Sequence, residues 1–187
     1  MKRIIFFLAA LLAPAQAQDI SDAFTDAPDN AKQHIASGFV CPLQLAEFER
    51  DAVGQKDPGI GADYCAYSAL DSVYGTITLT PLPKTYDPKA MLAPDFAVQE
   101  GSGGRMLGEA IEVLGPKTAP LSVYVRTYET SRLATVHYET QFASAAVGAW
   151  VVEVEIEYAA PRDKELRANF MNAVFALALE KIAALPH

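Results

Sequence analysis

GAWVVEVEIEY, residues 148 to 158, sets Glu153, Glu155 and Glu157 at period two against Val152, Val154 and Ile156. Side chains alternate between the two faces of a strand, so the stretch reads as a strand with one apolar and one acidic face. Two earlier stretches alternate in the same way: LSVYVRTYE (121–129) and RLATVHYETQF (132–142). Joined by brief connections, the three predict an antiparallel meander. Its inward sets read as Leu121, Val123 and Val125; Ala134, Val136, Tyr138 and Phe142; and Trp150, Val152, Val154, Ile156 and Tyr158.

An apolar sheet face needs a cover, and the close of the chain supplies one. In PRDKELRANFMNAVFALALEKIAAL (161–185), Leu166, Phe170, Val174 and Leu177 form one helical stripe, with Met171, Phe175, Ala178 and Ile182 beside it. The expected fold is therefore a single α+β domain, an antiparallel sheet with the long C-terminal helix packed on its apolar face.

Upstream, DYCAYSAL (63–70) and VYGTITLTPL (73–82) read as a hairpin joined at Asp71 and Ser72. Ile77 and Leu79 should face inward, and Thr76, Thr78 and Thr80 outward. Asp87 before Pro88 is a capped helix start; the helix should carry Met91, Leu92 and Phe96, restart at Pro94 and stop before GSGG (101–104). That glycine run lacks the Lys-Ser/Thr ending of a phosphate loop and reads as a connection. GEAIEVLG (108–115) reads as a strand. Asp29 or Asn30 should cap a short helix through Ser37, stopped by Gly38, with His34 on its exposed last turn.

The first 17 residues have a basic start at Lys2 and Arg3, an apolar run from Ile4 to Ala13, and small residues Ala15 and Ala17. This is the order of a secretory leader, and the ten-residue run is half of the roughly 20 needed to span a bilayer. The expected organisation is a leader over 1–17, an N-terminal segment with the short helix over 18–37, and the α+β domain over 38–187. Net charge is −8, and −10 once Lys2 and Arg3 leave with the leader. With no basic stripe to offset it, that balance disfavours nucleic acid as a partner. Cys41 and Cys65 are the only cysteines; in an oxidising compartment they should form a disulfide.

On the acidic strand, residues two apart lie about 7 Å from each other. The strand pairing expected here puts Tyr124, Arg126 and Tyr128 from one neighbour, and His137 and Glu139 from another, on the same side as Glu153, Glu155 and Glu157. Three readings compete for this face. It could be a solvated surface with cross-strand ion pairs. It could be a recognition surface, since tyrosine and arginine are enriched where proteins meet. It could hold a carboxylate pair of glycosidase type, but any two glutamates two apart on a strand meet that spacing.

No other constellation is complete. A Gly-x-Ser-x-Gly elbow is missing, and His34, His137 and the cysteines have no metal-ligand spacing. The sequence therefore names no catalytic residue, metal or cofactor. The stretches SGFVCP (37–42), DYCAYS (63–68) and the block from VYVRTYE (123–129) to EYA (157–159) resemble PsbP-like α+β domains and small uncharacterised exported proteins of Gram-negative bacteria. The resemblance spans most of residues 38–184 and implies a sheet packed with helices and a role in binding or assembly; it carries over no functional residue. The reading at this level is a non-catalytic exported binding or accessory protein of the cell envelope, its partner an envelope protein or a small ligand. The alternative is an envelope hydrolase using two of the glutamates.

Overall fold

A computed structural model of the protein describes residues 22–70, 73–133 and 136–182. The leader, the Asp71–Ser72 joint and the inward position of Ala134 lie outside the described residues.

The large sheet is antiparallel throughout, and the strands expected from the sequence all lie in it. In chain order its strands are β4 (Gln44–Leu45), β5 (Phe48–Asp57), β6 (Ala62–Ala69), β7 (Val73–Pro81), β8 (Arg105–Leu114), β9 (Leu121–Leu133), β10 (Val136–Val147) and β11 (Trp150–Ala160). Across the sheet the order is β4-β5-β6-β7-β11-β10-β9-β8. The β8–β11 meander and the β5–β7 meander thus meet where β11 pairs with β7, Val154 opposite Ile77. The acidic strand is central, flanked on both sides. A separate three-stranded sheet comprises β1 (Phe24–Asp26), β2 (Lys32–His34) and β3 (Val40–Cys41).

The closing helix, α3 (Lys164–Lys181), lies on the apolar face as its stripe requires. Phe170, Met171, Val174, Phe175 and Ala178 are buried against Ile77, Val152, Val154 and Ile156. Each such side chain contributes roughly 1.5 to 3 kcal/mol on leaving water. Gly75 is the groove in β7 that admits Phe170: a Cβ there would stand 2.6 Å from Phe170 Cε1. Phe170 then reaches the rings of Phe48 and Tyr67, with centroids 4.4 and 5.7 Å away. Cys41 and Cys65, Cα atoms 6.4 Å apart, are joined as a disulfide. The bridge ties β3 of the small sheet to β6 of the large one.

The opposite face is also covered. Asp87 caps α1 (Pro88–Met91), its Oδ1 accepting from Lys89 N at 2.9 Å, and the helix restarts as α2 (Ala93–Gly101) with Pro94 in its first turn. Leu92 and Phe96 pack on Tyr124, Tyr128 and Phe142 in a second cluster. The sheet is therefore the middle layer of three, and Thr78 and Thr80, expected outside, are buried under this cover.

Two expectations are corrected. Residues 31–37 hold no helix: a one-turn 3-10 helix, Pro28–Asn30, is followed by β2. Asp29 and Asn30 take positive φ of 59° and 57°, the left-handed conformation that short polar side chains tolerate in turns. The same residue types also suit a helix cap, which is why the sequence suggests one here. His34 consequently lies 1% exposed in the interior and not on a surface helix end. The second correction concerns β10, whose faces are inverted. Phe142 sits opposite Glu155 and Ser144 opposite Glu153, so the even positions turn toward α2. Ala143, Ala145 and Val147 take the α3 side. With both faces buried and alanine filling both, the alternation in β10 carried no information about direction. Among the described residues no helix is long and apolar enough to cross a membrane.

Candidate functional site

On β11 the row of glutamates faces α1 and α2. Glu153 pairs across with Thr78 of β7 and Ser144 of β10, and Glu155 with Thr76 and Phe142. Glu153 is 7% exposed, and its Oε1 is buried without a hydrogen-bond partner. It borders a cavity of about 130 Å³ between the sheet and the helices, together with Thr78, Thr80, Met91, Asp95 and Lys56. Burial pushes the Glu153 carboxyl up to about 7, with Lys56 opposing and Asp95 adding to the rise. Glu155 is raised too, by burial first and then by Asp95. At the mouth, Lys56 Nζ lies 3.4 Å from Asp95 Oδ1, linking β5 to α2 across the opening. Tyr86 OH and Ser144 Oγ, 3.1 Å apart, hold the segment before α1 to the sheet near this row.

Tyr124, Arg126 and Tyr128 share the face but form a closed network with neighbours. Arg126 donates from Nε to Tyr124 OH (3.0 Å), from Nη1 to Tyr128 OH (3.3 Å) and from Nη2 to Glu109 Oε2 (2.9 Å). Tyr124 OH donates to Glu109 Oε2 (2.7 Å) and Tyr128 OH to Glu100 Oε1 (2.9 Å). Lys89 Nζ reaches Glu109 Oε1 at 2.5 Å. These donors hold the Glu109 carboxyl down to about 2, Lys89 contributing most. The Arg126 guanidinium also lies 4.0 Å from the Phe96 ring centroid, a cation–π contact. The network ties β8 and β9 to both short helices, so its physical effect is to fix the cover over the sheet.

His137 and Glu139 are not with the others, because β10 is inverted. Glu139, paired across from Tyr158, lies on the α3 side and accepts from Tyr158 OH at 2.7 Å. His137 is 45% exposed, its Nδ1 3.9 Å from Glu129 Oε2. Close by, Arg167 of α3 donates to Gln141 and pairs with Glu112 at 2.7 Å. Glu157 remains on the α2 side, half-buried opposite Tyr74 and Thr140.

The sequence did not point to Lys56, Asp95, Glu100 or Glu109 as members of this face. Glu109 had a usable signal: once GEAIEVLG is a strand beside VYVRTYE, an antiparallel register sets it across from Arg126. Lys56 and Asp95 come from a strand end and a helix whose docking no local pattern encodes. Among the described residues no three His, Cys, Asp or Glu side chains are grouped to hold a metal ion.

No family model matches the chain, and no curated protein matches it. Solved structures do. The solution structure of cyanobacterial PsbP (CyanoP) from Synechocystis sp. PCC 6803 is similar, with 11% identity over 88% of this chain and 96% of that chain and a TM-score of 0.46. The chain resembles a PsbP-like protein. At that identity the likeness assigns no residue of the cavity.

Proposed function

We propose that the chain is an exported, non-catalytic binding or accessory protein of the cell envelope, and that it engages its ligand or partner at the covered acidic face. The leader pattern and the Cys41–Cys65 bridge support export, since disulfides persist in oxidising compartments. The observation that carries the binding reading is Glu153. A buried carboxylate oxygen with no partner, bordering a cavity that Thr78, Thr80 and Lys56 share with Ile60, Met91 and Pro94, is an acceptor waiting for a donor. Glu155 and Glu157 extend the row toward solvent, while Tyr124, Arg126 and Tyr128 hold the helices that enclose it. The occupant is a compact hydrogen-bond-donating group, either a small ligand or the tip of a partner's side chain.

The hydrolase reading has one observation in its favour, the Glu153 carboxyl near 7, which suits a general acid. Size weighs against it. The cavity of about 130 Å³ is less than half of the roughly 300 Å³ at which ordinary substrate pockets begin. The test has two parts. Fractionation of the source cell should recover a chain processed after Ala17 outside the cytoplasm, and a cytoplasmic unprocessed chain would end the export reading. Purified protein should turn over no cell-wall glycan or aryl glycoside; turnover abolished by Glu153→Gln would replace binding with hydrolysis.

A further inference from the structure

A second cavity, of about 360 Å³, opens at the far end of the apolar face, where the small sheet meets β11. Its walls are largely apolar: Trp150, Pro81, Ile35, Ala23 and Ala36. His34 and Asp63 line it too, and they belong to a hydrogen-bonded polar network. Phe39 N–H donates to Ser37 Oγ at 3.1 Å, which leaves the Ser37 hydroxyl to donate to His34 Nδ1 at 2.7 Å. Ser37 N–H also reaches Nδ1, at 3.2 Å. Nδ1 is therefore an acceptor, the ring proton is on Nε2, and Nε2 donates to Asp63 Oδ2 at 3.0 Å. Burial holds the His34 imidazole below its ordinary range, so the ring is neutral at pH 7.

Every donor in this chain points the same way, and the chain ends on Asp63. The other oxygen, Oδ1, is buried with no partner. Ser-His-Asp is also the order of a hydrolase triad. Ser37 is fully buried, however, and its hydroxyl already accepts from Phe39, so no carbonyl can reach it. What remains is an acidic acceptor, Asp63, lining the same cavity as Trp150. His34 stands edge-on to Trp150, centroids 5.0 Å apart, with Phe24 at 5.2 Å on its other side. Asp22 and Asp63 line the cavity and, among the described residues, no Lys or Arg does.

We infer that this cavity binds a small organic amine, its ammonium on Asp63 and its apolar body against Trp150. The charge supplies the specificity. A buried acceptor rejects a ligand that lacks the matching donor, and an aromatic wall favours a cation over a neutral or anionic isostere.

Trp150 is the only tryptophan in the chain, so its emission reports on this cavity alone. The probes are 2-phenylethylamine and its carboxylate counterpart, 3-phenylpropanoate, titrated into the purified protein at pH 7. The amine should change Trp150 emission saturably at sub-millimolar to millimolar concentration, and the carboxylate should not. Asp63→Asn should weaken the amine at least tenfold. Because that change touches a buried network, Ala36→Phe is the second variant: position 36 is exposed at the rim, and a ring there fills the cavity without disturbing Asp63. It should abolish the response while leaving the far-UV circular dichroism unchanged. Equal responses to amine and carboxylate, no saturation by the amine, or full amine binding in Ala36→Phe would overturn the assignment. Glu153→Gln should leave the titration untouched, which separates this site from the one on the opposite face.

Discussion

Replacing Glu153 with glutamine should make the protein more stable as the pH rises relative to wild type, and the size of the effect follows from burial. The folded protein holds the Glu153 proton up to about pH 7, against 4.5 for the ordinary carboxyl. The folded state thus binds this proton more tightly than the unfolded chain. Stability falls as pH climbs through that window, with the loss absent below about 4.5 and complete above about 7. At about 1.4 kcal/mol per unit, the full cost is about 3 kcal/mol; by pH 5 it has reached only about 1 kcal/mol.

Glutamine has the same shape and no charge. It leaves an amide in the cavity whose own cost does not change with pH, so the slope of the difference isolates the ionisation. Urea unfolding of both proteins at pH 5, 6, 7 and 8, disulfide intact and followed by far-UV circular dichroism, measures it. The mutant's advantage should widen by about 2 kcal/mol from pH 5 to pH 8, a midpoint shift of about 1 M for a urea slope near 2 kcal/mol per molar. A difference that stays flat or narrows over that range would refute the reasoning, because it would mean that Glu153 ionises freely in the folded protein.

Three further outcomes follow from the packing. Changing both Cys41 and Cys65 to alanine should cost about 3.5 kcal/mol on the chain-entropy estimate for a loop of about 25 residues, read as a lower urea midpoint; unreduced wild-type protein should take up no alkylating label. Gly75→Ala should cost roughly 1 to 3 kcal/mol, because its methyl meets Phe170 where Phe48 and Tyr67 hold that ring, and wild-type stability in the variant would show that α3 sits elsewhere. Tyr128→Phe removes the hydroxyl that joins Arg126 to Glu100; it should cost about 1 kcal/mol and speed amide exchange in α2 more than in α3.

Period-two alternation was enough to place β9, β10 and β11 and to find the strip of β11 that α3 covers, because Val152, Val154 and Ile156 have no apolar competitor on their other side. The same rule failed on β10. Phe142 is the largest apolar residue of that strand and was assigned to the α3 face, but it packs with Phe96 of α2. Periodicity shows that a strand has two faces; it names the buried one only when the other is wet. Here a second layer, α1 and α2, dries both. That also explains Tyr124, Arg126 and Tyr128, expected on the polar face beside the glutamates, which are there but are linked to one another, Glu109 and Glu100 beneath a helix. His34 was illegible for a different reason. Its partners are a turn three residues away and a strand 29 residues away, and only the turn is local. The Asp29–Asn30 pair held the correct information, a left-handed turn, in a form that also fits a helix cap.

The two sites share one physical logic reached from opposite faces of the sheet. Glu153 turns toward α2 and Asp63, paired with Leu79 on β6–β7, turns toward the core side. Each leaves one carboxylate oxygen buried and unpartnered, and each borders a cavity. A fold selected for stability alone gains nothing from such an oxygen, since an unmet buried acceptor costs about 1 to 3 kcal/mol. Their surroundings differ in the way that sets ligand type. Around Glu153 are Thr78, Thr80, Asp95 and Lys56 beside Ile60, Met91 and Pro94, in a volume of about 130 Å³, which favours a compact donor. Around Asp63 are Trp150, Pro81 and Ile35 and, among the described residues, no Lys or Arg, which favours an amine carrying an apolar body. The tryptophan titration and the pH series therefore read independent groups, and failure of one leaves the other standing.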